Sequence, residues 1–510
     1  MEFYLNNKSM NHMKIIKMPL IMILLALLLV FNLNSEAQTK TNIITNTYKI
    51  KIDKNSRNIA KIESTLILKD STIKMASWGH PWLKHGWATF VKKLKIKTDT
   101  GRILSYSTVD KDGWGKWKVL APNGTKLHLS YEVHFDHKDH DWNPAGGIDS
   151  RPEVTDDALF LVSKALFIYS SGVKNAKIKF NIPSSWEIAT SWKKDEKGFY
   201  FADSWISLVN NALVLGDFDK KVVTNGQMNL IFAIDKNLSK HKQRFIDLMQ
   251  KQLNAFSKIF DGTPNRNYLI ALRKADEDDG ESFQDSFNQV LTDNRIEDRY
   301  IIWANTMAHE MFHYWNGNYS IAGKSEDVHW FTEGFTEYYS GLSLMRTGVI
   351  PEDIYLKKME RFLSRYIVTK KMWPVDQVSL VDAGKEKAKN WLLIYGGGAT
   401  MAFALDIEIR TLTNNNKSLD DVMLLVKTKY GDNHIKITTA NIMEAVNEAS
   451  GEDFTEFFKK YIYGKEDVLK IEDIVSKAGL NFDQFSDEVY LSRKKTNKKV
   501  LFDKMIGQQK

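Results

Sequence analysis

The chain contains no cysteine. Disulfides, thiolate metal ligands and cysteine nucleophiles are therefore excluded, and any metal site must be built from histidine and carboxylate. Histidine itself is sparse, with 12 in 510 residues. The apolar run at residues 18–31 is short for a membrane span. No nucleic-acid recognition motif accompanies the formal net charge of +8. The denser basic run Arg493, Lys494, Lys495, Lys498 and Lys499 reads as a solubilising tail, and no nucleic-acid partner is expected.

What is present is enough apolar material for several cores: 43% of residues are hydrophobic and 12% aromatic. A chain of this length predicts two or three domains. Residues 1–37 read as a signal peptide. Lys8, Lys14 and Lys17 precede the apolar run, and Ser35 and Ala37 offer small residues before a cut ahead of Gln38. Export follows, to the periplasm or the medium, with no stable membrane insertion once the leader is removed.

Residues 301–340 carry the chemistry. His309-Glu310-Met311-Phe312-His313 places two histidines four apart, one turn apart on one helix face, where both imidazoles can share one ion. Glu310 lies beside them and can take a proton from the attacking water without being a ligand. The flanking residues Ile301, Ile302, Trp303, Ala304, Met307, Ala308, Met311 and Phe312 are apolar on nearly all sides, as in a buried helix. Buried His, Glu and His need a reason, and a metal supplies one. A catalytic zinc wants a third protein ligand and an open position. His329 does not complete an HExxHxxGxxH pattern, because Asn316 and Tyr319 stand at its key positions. Glu333 and Glu337 are again four apart on a second helical segment. Glu333 is assigned as ligand, and Glu337 as the group that orients a ligating histidine.

The stretches HEMFHYWNG and WFTEGFTEYYSGLSLMRTGVI resemble the glycyl aminopeptidase family of zinc peptidases, relatives of the leukotriene A4 hydrolase-type aminopeptidases. The spacing from His313 to Glu333 is one residue longer than is usual in those larger relatives. The resemblance implies one Zn²⁺, a peptide or protein substrate, and aminopeptidase activity. It also implies that Tyr395, in Tyr395-Gly396-Gly397-Gly398-Ala399, donates a hydrogen bond to the oxyanion. It further implies that a glutamate near residue 281 meets the substrate's free amino group. Here Glu281 stands in Asp278-Asp279-Gly280-Glu281-Ser282, without the family's paired glycines and histidine. A zinc endopeptidase, or an inactive metal-stabilised binding protein, are the other readings.

The expected fold is α+β and multidomain. It comprises the signal peptide (1–37), an N-terminal β-sandwich or open-sheet domain (38–235), a thermolysin-like zinc peptidase domain (236–350), a C-terminal helical domain (351–480) and a basic tail (481–510), poorly ordered from Arg493. No C-terminal PDZ domain of the kind relatives carry is expected. Alternation at 48–52 and 60–68 predicts strands, as do the patterns at 126–135, 177–181 and 229–234. Residues 237–262 predict a helix, 268–272 a strand, 276–280 an acidic loop, and 286–291 an edge strand. The segment His134–His140 reads as a polar loop in preference to a second metal site. Trp78, Trp82 and Trp87 read as core and loop packing.

Overall fold

The computed structural model describes residues 46–507, apart from 77–82, 84, 112–113, 141–150, 293–295, 319–324, 373–376, 497 and 499. The expected signal peptide, Trp78 and Trp82 lie outside the described residues.

Strand-forming alternation builds the N-terminal half. In Asn46–Ile52 the apolar Tyr48, Ile50 and Ile52 are buried while Lys49 and Lys51 face solvent. The same period organises a seven-stranded sheet whose central strands are Ala176–Asn181, Asn46–Ile52, Ile59–Ile67 and Lys126–His134. A four-stranded sheet, with Ala158–Val162 and Ala212–Gly216 at its centre, and a three-stranded sheet complete this region.

A five-stranded sheet joins this half to the helices. It consists of β1 (Asp219–Asn225), β2 (Met228–Ile234), β3 (Asn267–Lys274), β4 (Asp279–Phe283) and β5 (Ser286–Leu291), in the order β1-β2-β3-β5-β4. β2, β3 and β5 are parallel, and α1 (Lys242–Ile259) makes the crossover from β2 to β3. Both faces of the sheet are covered. Leu230, Phe232, Ile270 and Leu272 pack with the helices, whereas Ile231, Ala233, Leu269, Ala271 and Phe283 join the core of the N-terminal β region.

On the helical side lie α2 (Tyr300–Phe312), α3 (His329–Arg346), α4 (Glu352–Ile367) and α5 (Gly398–Leu412). α3 packs on α2 and crosses α5 where Gly334 meets Gly398. Further helices, Leu419–Val426, Thr439–Ser450 and Ile471–Lys477, close this side. Among the described residues no helix is long and apolar enough to cross a membrane.

The structure corrects several expectations. β1 and β2, expected in the N-terminal domain up to 235, hydrogen-bond into the sheet that packs against α2. The acidic loop at 276–280 runs into a strand, β4, and β4 is the sheet edge; β5 is internal, because it pairs with β3 as well. The described part of the basic tail carries regular structure, including beyond Arg493. Leu480–Phe485 and Glu488–Arg493 form a hairpin, and Leu501–Met505 a short helix that buries Phe502 and Met505. Arg493, counted there as a solubilising charge, pairs with both carboxylate oxygens of Glu352 at 2.5 and 2.7 Å. The loop at 134–140 does have an apolar frame: His137 is buried and stacked on Phe90, with Trp87 beside it. Ile302, expected on a fully buried helix, is half-exposed.

Candidate active site

α2 delivers His309 and Glu310 to the interior, and His313 follows at its C-terminal cap, still in helical conformation. All three are buried. The chain then reverses through Gly317, whose φ of 129° lies in a region that side chains avoid. The reversal brings the carbonyl of Asn316 back to Nδ1 of His313 at 3.0 Å. Nδ1 therefore donates, and Nε2 keeps its lone pair for the site. The Asn316 amide donates to the carbonyls of Phe331 and Thr332 and to Oγ1 of Thr336, at 3.1–3.3 Å. One side chain thus ties the end of α2 to the helix that carries Glu333.

The two imidazoles and Glu333 converge. Nε2 of His309 and Nε2 of His313 are 3.0 Å apart, and Oε2 of Glu333 stands 3.5 and 3.3 Å from them. Among the described residues this is the one group of three or more His, Asp or Glu side chains placed to hold a metal ion. Lone pairs so close and so buried are costly unless a cation lies among them. Two imidazoles with one carboxylate, leaving a position open, is also the donor set of a catalytic zinc site. The residues present therefore fit a zinc ion.

A second layer fixes these groups. Nδ1 of His309 faces Oε1 of Glu337 at 3.4 Å, and Oε2 of Glu337 meets Nζ of Lys358 at 2.8 Å. Lys387 holds the outer oxygen of Glu333, Oε1, at 2.6 Å. The Tyr395 ring stacks on His309 with centroids 6.2 Å apart. Tyr395 sits in a wide helical turn, Leu393–Gly397, that leads into α5.

The charges follow from these contacts. Burial pushes the Glu310 carboxyl above its ordinary range, while His309 and His313 pull it back. Burial also opposes ionisation of Glu333, but Lys387 and the two histidines outweigh it and hold the group well below the usual carboxylate range. Glu337 is buried as well, and Lys358 and His309 bring it down to about 2. Burial, then the Glu333 carboxylate, push the Tyr395 phenol well up, so it remains a hydrogen-bond donor.

The edge strand β4 lies against α2. A side chain at Gly280 would strike Thr306 and come within 3.2 Å of Cγ of Glu310, so glycine lets the strand reach the site. Asn318 donates to Oγ of Ser282 and the carbonyl of Phe283, at 2.9 and 3.1 Å, locking the strand to the chain after His313. Glu281 is on the opposite face of the strand from Gly280, partly exposed, and pairs with Lys164 at 3.1 Å.

Six of the seven residues expected from sequence thus cluster together, whereas Glu281, on the neighbouring edge strand, is turned to Lys164. Asn316, Lys358, Lys387, Lys164 and Asn318 were not anticipated. Lys358 did leave a signal, since it sits three residues after Tyr355 and four before Phe362, on the buried stripe of α4. The others come from loops or distant segments and left none.

A sequence model of the M61 glycyl aminopeptidase matches residues 303–393, and one of the Peptidase M61 N-terminal domain matches residues 47–217. Together they span just over half of the chain. No curated protein matches it in sequence. Among solved structures, an aminopeptidase N family protein from Idiomarina loihiensis superposes with a TM-score of 0.72 at 17% identity, over 86% of this chain and 79% of that one. An M1 zinc metallopeptidase from Deinococcus radiodurans, in a variant bound to a Tyr-Ser-Ala substrate, superposes with a TM-score of 0.53 at 12% identity. That match covers 84% of this chain and 95% of the other. At such identities the likeness is one of fold.

Fold and family together define a metallopeptidase, a hydrolase acting on peptides. The chain belongs to the glycyl aminopeptidase family of zinc peptidases.

Proposed function

We propose that the protein is an exported, zinc-dependent aminopeptidase. The observation that carries this is the convergence of His309, His313 and Glu333 on one point with Glu310 beside them and an edge strand alongside. In this reading His309, His313 and Glu333 hold one zinc ion, which would lower the pKa of a water and polarise the scissile carbonyl.

The chain's own residues do the rest. An extended peptide adds to the open edge of β4, whose backbone groups offer hydrogen bonds. Glu310, its carboxyl raised by burial, takes the proton of the attacking water and passes it to the leaving amine. Tyr395 donates its hydroxyl to the developing oxyanion. Lys387 keeps the outer oxygen of Glu333 occupied, so that Oε2 stays turned inward. Lys358 holds Glu337, which holds the ring of His309. Glu281 meets the substrate's α-ammonium. Residues 1–37 direct export to the periplasm or the medium.

One observation favours an endopeptidase as the second reading: Glu281 already has a cationic partner in Lys164. The test is metal content, together with hydrolysis of a panel of free-amino dipeptide amides and their N-acetyl counterparts by the chain from Gln38. Bound zinc, with turnover of the free peptides that a chelator abolishes and zinc restores, is expected. Absence of zinc would remove the assignment, and cleavage of longer peptides at internal bonds, in place of the bond after the first residue, would favour the endopeptidase.

A further inference from the structure

Lys164 is a buried cation at the edge of the site. It lies in the turn Ser163–Ala165 that follows the strand Ala158–Val162, with 2% of its side chain exposed. Nζ pairs with Oε1 of Glu281 at 3.1 Å, and stands 5.2 Å from the ring centre of Phe283 and 5.9 Å from that of Trp87. Lysine is seldom buried unless its charge is compensated. Here one carboxylate and two aromatic faces do so. That carboxylate is the one the aminopeptidase reading needs for the substrate's ammonium group.

Two cations would then share one carboxylate. A substrate ammonium on the other oxygen of Glu281 is attracted by the carboxylate and repelled by Lys164 across a few ångströms of the same medium. The two effects are of similar size, because Coulomb energies at comparable distances and dielectric are comparable. Burial of Lys164 prevents it from swinging away. A free amino terminus therefore gains far less here than it would from an unpaired glutamate, and a blocked one loses little.

We propose that Lys164 is a specificity-determining residue that offsets Glu281 and relaxes the enzyme's demand for a free amino terminus. The proposal rests on the peptidase reading above. It makes the enzyme an aminopeptidase by site geometry that also accepts N-blocked peptides.

The test uses one peptide in free and N-acetylated form, with kcat and KM measured for the parent, Lys164→Met and Glu281→Gln, and melting temperatures for all three. Lys164→Met should lower KM for the free peptide by about tenfold or more and leave the blocked peptide unchanged. kcat should change little, because the ammonium is held alike in ground and transition states. Glu281→Gln removes the attraction but keeps the lysine, so the free-to-blocked ratio of kcat/KM should fall below the parent's. A ratio that stays put or falls in Lys164→Met overturns the proposal and leaves Lys164 as a prop for Glu281. If that variant melts too early to assay, Glu281→Gln decides, and an unmoved ratio there overturns it equally. A parent inactive on both peptides removes the peptidase reading and the proposal together, whereas an active parent with unmoved ratios removes the proposal alone.

Discussion

Gly334 and Gly398 meet backbone to backbone: a side chain begun at Gly334 would lie 2.3 Å from Cα of Gly398. Gly334 follows Glu333 directly, and Gly398 lies three residues after Tyr395. The contact therefore sets how near Tyr395 stands to Glu333. Gly398→Ala, which would drive a methyl within 2.1 Å of the Trp330 carbonyl, should cost about 1–3 kcal/mol of stability. It should also reduce turnover more than the lost stability explains. Thermal melts and kinetics would show this, and an unchanged melting temperature would mean that the helices separate freely.

Glu310→Gln keeps the shape of the side chain and removes its ability to take a proton. Turnover should drop by about 10²–10⁴-fold with zinc still bound. Retained turnover would assign the general base elsewhere; lost zinc would mean that the residue serves the metal.

Tyr395→Phe removes one hydroxyl from the site. The expected loss is roughly 10²–10³-fold in kcat, about 2.7–4 kcal/mol, with KM and metal content near those of the parent. A loss confined to KM would make Tyr395 a binding group and not an oxyanion donor.

Lys358→Met leaves the buried carboxylate of Glu337 without its cation. Folding stability should fall by about 3–5 kcal/mol. With Glu337 no longer held in place to orient it, His309 should bind the metal about 10–100-fold more weakly. Zinc affinity measured by competition with a chelator tests this, and an affinity equal to the parent's would refute the orienting chain Lys358–Glu337–His309.

Asp285 supplies a pH test away from the metal. Burial raises its carboxyl from the ordinary 3.8 to about 7, with Arg266 opposing and Asp203 adding to the shift. A carboxyl raised on folding binds its proton more tightly in the folded state. Its contribution is thus most favourable below about 4 and is lost as pH rises to about 7. Asp285→Asn should remove that loss, so its melting temperature should exceed the parent's at pH 8 and approach it near pH 4. Parallel pH profiles for the two proteins would contradict the shift.

The His309–His313 pair, Glu310 and Glu333 were legible in the chain because helical spacing is a local rule: residues four apart share a face whatever the rest of the fold does. Tyr395 and Glu281 became visible by resemblance, which supplies long-range placement that spacing cannot. The long amphipathic helices and the alternating strands were legible for the same local reason. Asp276–Asp278 do form a loop, but the start of β4, Asp279 and Gly280, was read as part of it because the stretch is polar, and its strand character comes from pairing with β5. The C-terminal hairpin was hidden in the same way, its charges answered by Glu352 and Asp503.

The sequence by itself thus determined which side chains could hold a metal and which carboxylate could move a proton. Tertiary structure decided what surrounds them. The turn at Gly317 fixes the proton of His313, Lys387 fixes the face of Glu333, and Lys358 fixes Glu337. It also set Lys164 against Glu281, across 117 residues of chain. Such pairings depend on which loop the packed sheets bring to a given edge, a long-range outcome that no periodicity encodes.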